Sequence, residues 1–193
     1  MNIELYKQNQ GIIKTTGRIP LSLMPTTKED SVMVLAQYPN EYYATLKPAN
    51  MKECINSSVC TLGAFKRATS NEQTGDMTVK GIVIMMLTDI VAFFNVGKTM
   101  NPNQLAQTTE LIIDNYGFLK IDDFKLIFTN AKKGDYGKVY DRLDGNIMIS
   151  WIDTYMNDRM SAGENMSYLE HDKVKANEKR GGSFLEVIQQ FSK

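Results

Sequence analysis

Residues 121–146 read IDDFKLIFTNAKKGDYGKVYDRLDGN, a stretch that holds a helix, its stop, a turn and the start of a second helix. Ile121, Phe124, Ile127, Phe128 and Ala131 recur at helical spacing and so share one face. Asp122 and Asp123 stand in the first turn and Lys132 and Lys133 in the last, where each charge suits the helix dipole. Gly134 follows as a C-terminal stop, Gly137 allows a tight turn, and Asp144 is placed to cap the next helix. A loop punctuated this way between two amphipathic patterns belongs to a helical bundle.

The flanking sequence repeats the theme. Met148, Trp151, Ile152, Tyr155 and Met156 predict a helix that ends near Met160. Upstream, Asn101-Pro102 supplies an N-cap and a proline at N1 for a helix that ends near Tyr116-Gly117. Thr78–Phe94 is apolar around most of its girth, which places it at the centre of the bundle, and Gly97 is positioned to end it in a left-handed turn. Met51–Ala68, capped by Asn50, predicts one continuous helix. Thr27 caps another that runs to Tyr38, where Pro39 stops it. Thr69–Asp76 is a polar linker. The expectation is an all-α bundle of six or seven helices over residues 27–160.

Both ends read differently. Residues 1–26, punctuated by Gly11, Gly17, Pro20 and Pro25, predict an extended arm. Residues 161–193 form a polar tail. Within it Gly181-Gly182 predicts a hinge, followed by a C-terminal amphipathic helix that carries Phe184, Leu185, Ile188 and Phe191 along one side. Such a helix resembles a docking peptide for a protein partner, and folding back onto the chain's own bundle competes with that reading.

Composition limits the function. The 193 residues are 42% hydrophobic and 23% charged with zero formal net charge, ordinary values for a globular chain with a core. A whole-chain electrostatic attraction to nucleic acid or acidic lipid is therefore absent, and only a local patch could supply one. Cys54 and Cys60 fall on different helical faces, which predicts free thiols. The opening MNIELYKQNQ has no basic region followed by an apolar run, so no signal peptide is expected. Ile82–Phe94 is too short to span a bilayer, so no membrane partner is expected either. The expected location is the host cytoplasm, or a virion if the role is structural.

Motifs for catalysis, cofactors and metals fail on spacing. Val96-Gly97-Lys98-Thr99 resembles the end of a phosphate-binding loop, but Ala92 stands where the first glycine belongs. Asp141, Asp144 and Asn146 suggest calcium, yet Leu143 and Ile152 occupy ligand positions of the calcium-binding loop. His171, the single histidine, has no ligating partner nearby in the sequence. The reading is a non-enzymatic protein with no catalytic, cofactor or metal site.

The loop remains. Lys132, Lys133, Lys138 and Arg142 interleave with Tyr136 and Tyr140, the composition of a surface that contacts phosphates or a protein partner. Asp135, Asp141 and Asp144 dilute the positive charge. A purely structural role, with both tyrosines pinning the turn onto the bundle and Asp141 pairing with Arg142 or a lysine, stands beside the protein-interface and nucleic-acid readings.

The pattern Asp-x-x-Lys-Leu-x-Phe at Asp122, Lys125, Leu126 and Phe128, then Lys-x-Gly-x-Tyr-Gly-x-x-Tyr from Lys132 to Tyr140, then Tyr155 and Arg159, resembles a family of small uncharacterised helical proteins of Bacteroidetes phages and mobile elements. The resemblance covers roughly residues 80–160 and implies a phage or mobile-element origin without an assigned chemistry. Two roles follow as expectations. One is an accessory protein of DNA replication, a helicase-loader or initiator-like adaptor that touches DNA or a replication protein through the loop. The other is a virion head–tail connector subunit, a homo-oligomeric ring held by the arm and tail.

Overall fold

The computed structural model describes residues 3–69, 75–94 and 96–191, with side chains described for 9–69, 76–94 and 96–169. The fold is all-α, with nine α-helices among the described residues. They are α1 (Ile3–Thr16), α2 (Lys28–Gln37), α3 (Pro39–Thr45), α4 (Met51–Asn56), α5 (Leu62–Thr69), α6 (Gly75–Phe93), α7 (Pro102–Tyr116), α8 (Ile121–Lys133) and α9 (Gly145–Phe191). Two-residue strands β1 (Lys98–Thr99) and β2 (Arg142–Leu143) pair in parallel. The chain divides into a unit over Met1–Tyr155 and a second over Met156–Lys193.

In the first unit α8 is the most enclosed helix. Ile121, Phe124, Leu126, Ile127, Phe128 and Ala131 are all buried, and α8 packs on α3, α4 and α6. Burial of each large side chain contributes about 1.5–3 kcal/mol. Helix α6, expected to be surrounded, buries Val79, Ile82, Val83, Met86, Leu87 and Ile90 along one side only. Gly81, Thr88, Asp89 and Phe93 are exposed, because α3, α5, α7 and α8 together leave that side of it uncovered.

Local capping signals act where the sequence puts them. Thr27 Oγ1 accepts the Asp30 N–H at 3.1 Å, and Asn50 Oδ1 accepts the Glu53 N–H at 3.1 Å. Asn101 and Gln104 form a reciprocal capping box ahead of α7. Asp144 Oδ1 accepts the Ile147 N–H at 3.1 Å and starts α9. Neither Cys54 nor Cys60 is in a disulfide, and both are buried.

Four further expectations are corrected. The extended arm is largely helical: α1 occupies Ile3–Thr16, with Ile13 fully buried. Gly11 costs the helix only about 1 kcal/mol, and the strong helix formers around it outweigh that. The single helix over Met51–Ala68 is two, α4 and α5, because Ser57–Thr61 find other partners. Lys120 Nζ donates to the carbonyls of Cys54, Ile55 and Ser57 and so closes the end of α4. The Cys60 N–H donates to Ser31 Oγ at 2.9 Å, and Thr61 bridges to Lys120.

Pro39 stops α2 but also opens α3 at once as its first residue. Gly97 has no left-handed backbone, since the segment after α6 is drawn into β1. The hinge at Gly181-Gly182 is absent: α9 runs unbroken to Phe191, past the end expected near Met160. Glycine lowers helix stability by about 1 kcal/mol per residue without forbidding the helix. Most of the linker expected at Thr69–Asp76 lies outside the described residues.

Candidate interaction site

Helix α8 ends at Gly134, whose φ of 89° is left-handed. The Asp135 N–H returns to the Asn130 carbonyl at 3.1 Å, which satisfies an orphan carbonyl of the last turn. Gly137 has φ of 94°, a backbone that other residues adopt only under strain, and its N–H closes a turn onto the Gly134 carbonyl at 3.0 Å. The chain then runs through Lys138, Val139 and Tyr140 into β2.

This path brings four of the six expected contact residues, Tyr136, Lys138, Tyr140 and Arg142, around one open cleft of about 350 Å³ that Trp151 also lines; Lys132 and Lys133 are not among its lining residues. Its floor is aromatic. Tyr136 stacks on the buried Trp151 with centroids 6.4 Å apart and planes at 24°. Trp151 in turn meets Phe94 at 5.8 Å, and Phe94 meets Phe93 edge-on at 5.1 Å. A row of four rings thus runs from the loop to the end of α6 and fixes the turn. Tyr140 is not part of it. The expectation that both tyrosines pin the loop holds for Tyr136 alone, because Tyr140 is 81% exposed.

The cations divide in the same way. Lys132 is committed to the scaffold: its ammonium pairs with Asp89 at 2.8 Å and sits 5.1 Å from the centroid of Phe93. Lys133 and Lys138 are exposed. Arg142 Nε lies 3.3 Å from Asp144, not against Asp141 as expected, and its side chain is 70% exposed. Strand β1 adds a residue that sequence reasoning missed. Lys98 is the register partner of Arg142, and both are exposed. Neighbouring strands lie about 4.8 Å apart, so the two cationic side chains issue from adjacent backbone positions. In the sequence Lys98 belongs only to a failed phosphate-loop motif; its neighbour is distant along the chain, and no local pattern reports the pairing. Trp151 reads in the sequence as a core marker of its helix and proves to be the base of the cleft.

Phe184, Leu185, Ile188 and Phe191 fall in α9, and their side chains lie outside the described residues.

A second polar cluster lies in the core. Asp122 and Asp123 are buried, although the sequence placed them only as first-turn charges. Asp123 accepts the Tyr155 hydroxyl at 2.6 Å and the Lys120 N–H at 2.8 Å. Asp122 accepts the hydroxyls of Tyr42 and Ser57, each at 3.4 Å. Burial, reinforced by the charge of Asp123, pushes the Asp122 carboxyl up to about 6, against its backbone hydrogen bond and the pull of Lys120 and Tyr42. Burial and Asp123 push the Tyr155 hydroxyl far above the ordinary phenol range, so it stays a donor. Among the described residues no buried side-chain nitrogen or oxygen lacks a partner. The cluster joins α3, α4, α8 and α9 by hydrogen bonds.

Among the described residues no group of His, Cys, Asp and Glu is arranged to hold a metal ion, and no helix is long and apolar enough to cross a membrane. Comparison with protein-family models, with curated proteins and with solved structures returns no match for this chain.

Proposed function

We propose that this chain is a non-enzymatic adaptor of DNA replication, of phage or mobile-element origin, that works in the manner of a helicase loader or initiator-like protein. Its contact surface is the loop from Lys133 to Arg142 together with Lys98, and DNA is the partner met there. The observation that carries this reading is the convergence of Tyr136, Lys138, Tyr140 and Arg142 on one cleft. An exposed ring beside exposed cations suits a ligand that offers both planar bases and phosphates. A protein partner is assigned to the C-terminal part of α9, which carries Phe184, Leu185, Ile188 and Phe191.

The competing role, a head–tail connector ring, rested partly on an extended N-terminal arm. Residues 3–16 are helix α1 instead, while the zero net charge that also suits such a ring is unchanged. Multi-angle light scattering of the purified protein separates the roles. A monomer or small complex is expected of an adaptor; a stable closed ring would overturn the replication reading.

A further inference from the structure

Resting on the proposed DNA contact, we infer that the cleft between the 136–142 loop and Trp151 takes unpaired nucleotides of single-stranded DNA rather than a duplex. Three features argue for this together. The first is Tyr140. A large ring that is 81% exposed at the rim of a cleft gains by stacking on a base, and only an unpaired base presents its face. Neighbouring Tyr136 is already held by Trp151, so Tyr140 is the exposed ring that the cleft offers to a base.

The second feature is shape. The major groove of a duplex, about 12 Å wide, is read by a projecting helix or a two-stranded ribbon that enters it. The strand pair here is two residues long in each strand, and the surface is concave. The third is charge. Lys138 and Arg142 line the cleft together with Asp141, Lys98 stands beside Arg142 on the paired strand, Asp135 is exposed earlier in the loop, and Asp144 lies 3.3 Å from Arg142 Nε. That alternation repels a long, dense phosphate lattice and tolerates a few phosphates held one at a time. Lys98 and Arg142, side by side on β1 and β2, form the clamp for one of them.

The test is fluorescence anisotropy with the full chain. The probes are a labelled oligo-dT of about 12 nucleotides, within the span covered by one small single-strand-binding fold, and a blunt duplex of equal length. The single strand should bind about tenfold or more tightly than the duplex. Tyr140→Ala should weaken single-strand binding by about 5- to 150-fold, the range that loss of one stacked base implies. Tyr140→Phe, which keeps the ring, should retain it. Lys98→Ala should lower the affinity and the salt dependence, whereas Lys47→Ala, outside the cleft, should not. Duplex binding equal to or tighter than single-strand binding, or an unchanged Tyr140→Ala, would overturn the inference and leave the DNA contact standing. Failure to bind either probe would overturn both.

Discussion

The Tyr155 hydroxyl donates to Asp123 Oδ1 at 2.6 Å, with both residues fully buried, and so ties the first turns of α9 to the start of α8. Tyr155→Phe removes the donor and with it one hydrogen bond to a buried carboxylate. A loss of about 1–3 kcal/mol is expected. Urea unfolding followed by circular dichroism should show a lower midpoint with an unchanged slope. An unchanged midpoint would mean that Asp123 is satisfied without this bond.

The neighbouring Asp122 gives a pH dependence of unusual sign. Its carboxyl is raised by burial from 3.8 to about 6, so between these values the folded state holds the proton more tightly than the unfolded chain. The contribution to stability is therefore most favourable below about pH 4, declines as pH rises, and levels off above about pH 6. Asp122→Asn removes this decline. The stability difference between parent and variant should shift in favour of the variant by on the order of 3 kcal/mol across that window. A difference independent of pH would contradict the buried, proton-binding role.

Gly145 opens α9 directly against Thr108 of α7. A Cβ at this position would meet Thr108 Oγ1 well inside van der Waals contact. Gly145→Ala should lower stability by about 1–3 kcal/mol through overpacking. Thr108→Ala in the same chain should recover most of that loss, since it deletes the atoms that collide. Thermal melts of the two single variants and the double variant measure the coupling; simple additivity would place the strain elsewhere.

Much of the fold was legible because local signals and tertiary packing agree. The caps at Thr27, Asn50, Asn101 and Asp144 and the stop at Gly134 appear where the sequence put them, since each satisfies backbone groups within a few residues. What was not legible depends on distant partners. The break between α4 and α5 exists because Lys120 takes the carbonyls of Cys54, Ile55 and Ser57, while the apolar period runs on across the gap. Burial of Asp122 and Asp123 depends on Tyr42, Ser57 and Tyr155 arriving from other helices. At the loop, Tyr136, Lys138, Tyr140 and Arg142 were visible as a composition. Lys98 and Trp151 were not, because a strand pair and a ring stack bring them there. Lys132 looked like its neighbour Lys133 in sequence, and only Asp89 and Phe93 distinguish the two.

The central claim is that the Lys133–Arg142 loop is the DNA-contacting surface. The most direct measurement is DNA affinity as a function of salt for the parent, for Lys133→Ala/Lys138→Ala/Arg142→Ala, and for Lys132→Ala. The parent should bind with an affinity that falls as salt rises. The triple variant should bind more weakly, with a log–log slope shallower by about 2–3, because each cation removed leaves one phosphate unneutralised. Lys132→Ala, whose ammonium is engaged by Asp89, should bind as the parent does. A parent that does not bind DNA, or a triple variant with the parent's affinity and slope, would contradict the account.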